Sequence, residues 1–241
     1  MSAQKAQKRK PGPAVTRGGN KWLFPVVIGV IVLVGAVAVV FAATGGDDSS
    51  SGGGGSTDAI EVSAEVSVDG DTLPDFTGAN RDPAVGMTAP VIGSVDFDGD
   101  SIQIGGATGS PYAVVFLAHW CPHCQAEVPQ LVALADNGQI EGVDVYGVAT
   151  GTSNQNPNYP PSEWLAREDW PFPVLVDTAS GTAANAYGLT GYPFMVFVDA
   201  EGKVVGRTSG EVGSDDLETI FKALAAGETL PIPGAGASSS R

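Results

Sequence analysis

Two cysteines, Cys121 and Cys124, stand three positions apart and are the only ones in the chain. A structural disulfide across so short a loop would add little stability. A zinc site would need further ligands, and only His119 and His123 lie nearby. Thiol–disulfide chemistry is therefore the expected use of the pair, with metal binding and an inert pair as lesser alternatives. Cys121 would be the more exposed nucleophile and Cys124, one turn on, the more buried resolving thiol. His123 sits between them and could favour the Cys121 thiolate as a charged or hydrogen-bonding neighbour. Pro122 completes the quartet Cys-Pro-His-Cys. Trp120 would pack beside the dithiol and shield it, His119 would face solvent, and Glu127 would share a helix side with Cys124.

The flanking stretch explains why the pair could be reactive. It reads AVVFLAHWCPHCQAEVPQL from Ala113. An apolar run, Ala113 to Ala118, predicts a buried strand. Val128, Leu131, Val132 and Ala135 follow at helical spacing and predict a helix. The cysteines stand at the joint. The first turn of a helix offers unpaired backbone N–H groups and the positive end of the macrodipole, and both stabilise a thiolate.

These residues resemble the thioredoxin superfamily. Trp120-Cys121-Pro122-x-Cys124 at a strand-to-helix joint carries the likeness, and Gly191-Tyr192-Pro193-Phe194 strengthens it. The resemblance implies a cis peptide before Pro193, facing the dithiol, with the backbone of Tyr192 exposed to pair with a substrate strand. Pro129 matches a kink proline in the active-site helix. The likeness covers roughly residues 85–226 and implies an α/β fold with a central mixed sheet flanked by helices.

Gly86-x-x-Ala89-Pro90 and the acid in Cys124-x-x-Glu127-x-Pro129 resemble the membrane-tethered TlpA/ResA-like branch, in which that acid is linked to proton handling. The quartet itself resembles that of DsbA-like oxidants. The scaffold thus implies a reductase and the quartet an oxidase, leaving direction open. Val115 stands where cytoplasmic thioredoxins keep a buried aspartate, which argues against a general cytoplasmic reductase. A redox-inert, peptide-binding module that keeps the Pro193 groove is the alternative from another class. A peroxiredoxin is disfavoured, because Cys121 lacks the Thr/Ser-spaced motif that binds peroxide. The resemblance implies no cofactor, and partners that are protein thiols and disulfides plus a membrane-anchored electron donor or acceptor. A monomer is expected.

The formal charge is −15 over 241 residues, with strong asymmetry. Residues 1–21 hold six of the twelve basic residues and no acid, and all 27 acids follow Gly46. Such a surface repels nucleic acid. Leu23 to Ala43 is a 21-residue run without charge. At 1.5 Å per residue it would span a bilayer core of about 30 Å as a single transmembrane helix. The basic flank predicts a cytoplasmic N-terminus and an extracytoplasmic domain, a single-pass membrane protein. A cleaved signal peptide is the rival, although the run is long for its apolar region. No cysteine stands directly after the run, which excludes lipoprotein anchoring, and no Gly-x-x-x-Gly pair within it suggests helix dimerisation.

The expected organisation is a basic tail over 1–22, an anchor over 23–43, a Gly/Ser linker over 44–57, an N-terminal extension over 58–84, a thioredoxin-like domain over 85–227 and a flexible tail over 228–241. Strict alternation from Ile60 to Val68 predicts a half-buried strand in the extension. Strands are also expected at Val91–Phe97, Ser101–Ile104, Val143–Val148, Val174–Val176, Tyr192–Val198 and Lys203–Thr208. Short helices are expected at Ser162–Arg167 and Thr182–Tyr187, and a last helix capped by Ser214 and ended by Gly227.

Overall fold

The computed structural model describes residues 60–233. The expected tail, anchor and linker before residue 58 lie outside them. Among the described residues the named elements are eight strands and four helices. Strands β1 (Ser67–Asp69), β2 (Val91–Val95) and β3 (Ser101–Ile104) form a small antiparallel sheet. The main sheet holds β4 (Tyr112–Leu117), β5 (Asp144–Ala149), β6 (Val174–Val176), β7 (Phe194–Val198) and β8 (Val204–Ser209), in the order β6-β5-β4-β7-β8. β4 pairs in parallel with β5 and antiparallel with β7, so the sheet is mixed. The helices are α1 (Pro122–Asp136), α2 (Pro161–Arg167), α3 (Thr182–Ala186) and α4 (Ser214–Ala225).

β4 is central and buried on both faces, as its unbroken apolar run requires. Alternate residues feed two cores. Ala113, Val115 and Leu117 meet Val128 and Leu131 of α1 and Leu217, Ile220 and Phe221 of α4. Val114 and Phe116 meet the other layer, which includes Ile92, Tyr187 and Phe194. β4 thus delivers its C-terminal end, and the dithiol that follows, to a joint held from both sides.

The extension differs from its expected form. Residues 60–62 are helical, and only Ser67–Asp69 is strand, paired with β2. Glu61 is buried where alternation would expose it, and its Oε2 accepts the Ser162 N–H at 3.2 Å. The residue before α2 is Pro160, which offers no side-chain cap. A carboxylate brought from residue 61 serves that helix start instead, and this outweighs the alternating pattern. Ser214 likewise is the first residue of α4, after Gly213 at the cap position.

A segment after β1 straps the main sheet. Leu73 donates its N–H to Ala186 O and Phe76 its N–H to Gly188 O. Arg207 of β8, fully buried, donates Nε–H to Asp82 Oδ2 at 2.7 Å and binds Oδ1 through Nη2. Its Nη1 donates to Pro74 O and Tyr187 O, each at 2.9 Å. Phe76 and Phe194 lie over the same guanidinium. Gly188, at φ 70°, admits this approach, since a Cβ there would stand 2.2 Å from Pro74 O.

Candidate active site

Cys121 holds the cap position of α1 in extended backbone (φ −77°, ψ 121°), and Pro122 is the first helical residue. Proline suits that place because its missing N–H would have no partner there. Cys121 is 7% exposed and Cys124 wholly buried, so the order of accessibility is the expected one although the nucleophile is largely covered. Both thiols are free. Cys121 Sγ lies 3.8 Å from Tyr192 O, and the Tyr192–Pro193 bond is cis, as the resemblance implied. Cys124 Sγ accepts the Ala118 N–H at 3.5 Å. Burial pushes the Cys124 thiol well above the usual thiol range, against that hydrogen bond, and the charges of Cys121 and Glu127 act in the same sense as burial.

Glu127 is fully buried. Its Oε2 accepts the Val212 N–H at 2.9 Å, while its Oε1 has no hydrogen-bond partner. Burial raises its pKa to about 7, opposed by the Val212 bond and assisted by the charge of Glu211. Val115 of β4 is buried in the same apolar core as both cysteines, and Glu127 is the buried acid of the dithiol helix α1.

His123 stays at the surface, and its Nδ1 meets Glu211 Oε2 at 3.2 Å. Glu211 escaped the sequence reading. It lies in the turn between β8 and α4, 88 residues from His123, and no local pattern marks it.

His119 overturns its expected exposure, being 1% exposed. The Ser153 N–H donates to its Nε2 at 3.2 Å, so Nδ1 carries the proton and donates to Pro157 O at 2.7 Å. Burial lowers its pKa, against those two backbone contacts. Its own carbonyl accepts Gln125 Nε2–H and Asn158 Nδ2–H. These partners lie mostly in the 153–158 loop, which is why local sequence hid its burial.

Trp120 Nε1–H donates to Gly151 O at 2.8 Å, and its ring meets Tyr192 edge-on at 5.8 Å. Gly151 sits at φ 61°, and a Cβ there would approach the Tyr192 hydroxyl to 2.8 Å. Trp120, Gly151 and Tyr192 thus form one wall beside Cys121, with the cis Pro193 next to it. All of the residues singled out from the sequence converge here: Cys121, Pro122, His123, Cys124, Glu127, Trp120, Tyr192 and Pro193. Among the described residues, no three His, Cys, Asp or Glu side chains are grouped to hold a metal ion.

A dithiol at a strand-to-helix joint, facing a cis X–Pro bond on a mixed sheet, defines a thioredoxin-like α/β protein. The family model described as Redoxin matches residues 69–224, more than half of the chain, and the chain belongs to that family, in the TlpA/ResA-like branch of the thioredoxin superfamily. It is 26% identical over 141 residues to the thiol-disulfide oxidoreductase ResA of Bacillus thuringiensis, covering 58% of this chain and 78% of that one. The thiol:disulfide interchange protein DsbE homolog of Paracoccus denitrificans is 29% identical over 163 residues, covering 66% and 83%. Among solved structures, an uncharacterized conserved protein from Geobacillus kaustophilus shares the fold with a TM-score of 0.53. It is 21% identical, over 63% of this chain and 87% of that one.

Proposed function

We propose that the chain is a protein thiol–disulfide oxidoreductase, anchored by Leu23–Ala43 with its folded domain outside the cytoplasm. The observation that carries the reading is Cys121 Sγ at the start of α1, beside Tyr192 O of the cis peptide, with Cys124 buried behind it. The ResA and DsbE relatives support the same chemistry.

In the reductive direction the Cys121 thiolate bonds to one sulfur of a substrate disulfide, and the other leaves as a thiolate that takes a proton. The deprotonated Cys124 then attacks Cys121 Sγ, breaking the mixed disulfide. The products are a substrate dithiol and a Cys121–Cys124 disulfide, the two electrons coming from the pair. The oxidative direction reverses these steps. The first turn of α1 stabilises the attacking thiolate. Glu127, buried on the same helix and acting on the Cys124 thiol through its charge, is the carboxyl that serves proton handling at the pair, and at about 7 it is matched to near-neutral pH. The substrate strand pairs with the backbone of Tyr192 against the Trp120 wall.

His123 tunes direction. A polarised donor beside Cys121 favours the reduced pair and makes the disulfide more oxidising, while the Glu211 carboxylate adds an opposing charge. The expected potential lies between about −270 mV, that of thioredoxin, and about −120 mV, that of DsbA. Glutathione-equilibrium titration tests this, alongside turnover of insulin disulfides. His123→Pro should make the pair more reducing. A wild-type potential outside those limits, or one unmoved by His123→Pro, contradicts the tuning. No turnover would contradict the oxidoreductase reading itself. Protease added to intact cells should remove the domain and leave a short protected fragment. Soluble protein beginning near Thr44 would contradict the anchor.

A further inference from the structure

The turn that follows β8 touches three residues of the site. Gly210 donates its N–H to Pro193 O at 2.9 Å, Glu211 holds His123, and Val212 donates its N–H to Glu127. The other side of the same turn lines a cavity of about 220 Å³, together with Phe76, Thr208 and Asp216. Small-molecule sites run to about 300 Å³ and more, so this one suits a single side chain and not a cofactor.

Its chemistry is specific. Phe76 and Val212 supply an apolar wall, and Glu211 and Asp216 supply carboxylates at exposed positions. Thr208 is 5% exposed, and its buried Oγ1 has no hydrogen-bond partner. An unpartnered buried hydroxyl is costly unless something supplies a donor. A hydrocarbon stem ending in a cation with several N–H donors meets all three requirements. The surroundings agree. After residue 21 the chain holds six basic residues against 27 acids, and one of the six, Arg207, is locked in the buried pair with Asp82. Such a field draws cationic partners.

We propose that this cavity receives a Lys or Arg side chain of the protein substrate, so that the Pro193 groove selects disulfides with a basic residue close by. The proposal rests on the reading of the chain as a protein thiol–disulfide oxidoreductase.

The test uses disulfide-containing peptides in which Lys, Arg, Gln or Glu is scanned through the positions flanking the cystine. At low salt one position should favour Lys and Arg over Gln by roughly threefold to tenfold in kcat/KM, the range that two partly exposed ion pairs support. The preference should fall below about twofold at 0.5 M salt, where exposed charges are screened. It should also collapse in Glu211→Gln/Asp216→Asn. It should survive in Glu141→Gln/Asp144→Asn, which removes the same charge near the start of β5, away from the cavity. Absence of any Lys preference at low salt overturns the proposal. So does equal loss in both double variants, which would assign the effect to net charge. The same peptides, with serines for the cystine, are titrated by fluorescence anisotropy against Cys121→Ala/Cys124→Ala. A Lys preference there without turnover by the wild type would overturn the redox reading and leave the cavity standing. Turnover without a preference does the reverse.

Discussion

Replacing Glu127 by Gln isolates the buried acid of the site. The carboxyl ordinarily titrates at 4.5 and is raised to about 7 in the folded protein, chiefly by burial. The unfolded chain therefore loses this proton first as pH rises. Between about 4.5 and about 7 the folded state holds more protons, so the stability associated with Glu127 is full at acid pH and is lost as pH rises through that window. At about 1.36 kcal/mol per pH unit the loss amounts to about 3 kcal/mol, and it is complete above the folded value. Gln does not titrate, and it keeps an acceptor for the Val212 N–H. The stability of Glu127→Gln relative to Glu127 should thus rise by about 3 kcal/mol from acid pH to pH ~8.5. Urea denaturation across that range measures it, with both proteins in a Cys121→Ala/Cys124→Ala background so that no thiol titrates. Parallel curves for the two proteins would refute the assignment of a buried, pKa-raised carboxyl.

His119→Ala removes the side chain that latches the 153–158 loop to the dithiol turn. Hydrogen exchange at the Ser153 amide should accelerate in the variant, while amides at the centre of β4 stay protected; unchanged exchange at Ser153 would contradict the latch. Asp82→Ala leaves the fully buried Arg207 guanidinium without its counter-ion. It should cost about 3–5 kcal/mol in urea denaturation, and a loss below about 1 kcal/mol would show that the pair does not hold the strap.

The central part of this fold was legible because two periods meet at one point. An apolar run that stops at His119, followed by helical spacing from Val128, marks β4, α1 and the joint between them without tertiary knowledge. Glu127 was legible for the same reason: it stands one turn past Cys124, on the buried side of α1. What escaped depends on distant partners. Glu61 turns inward to serve a helix start 101 residues away, and an alternating pattern read locally as strand became partly helical. His119 is buried by acceptors and donors 34 and 38 residues on. Glu211 lies in a turn whose sequence suggests only a turn, and its position over His123 follows from the pairing of β7 with β8.

The most direct test of the account is mixed-disulfide trapping with a protein substrate. Cys124→Ala should accumulate a covalent complex through Cys121 that reductant dissolves, because attack proceeds and resolution cannot. Cys121→Ala should form none, since the remaining thiol is buried on the inner side of α1 and held protonated by burial. A complex formed by Cys121→Ala and not by Cys124→Ala would reverse the roles of the two thiols. A complex formed by neither would contradict disulfide exchange at this site.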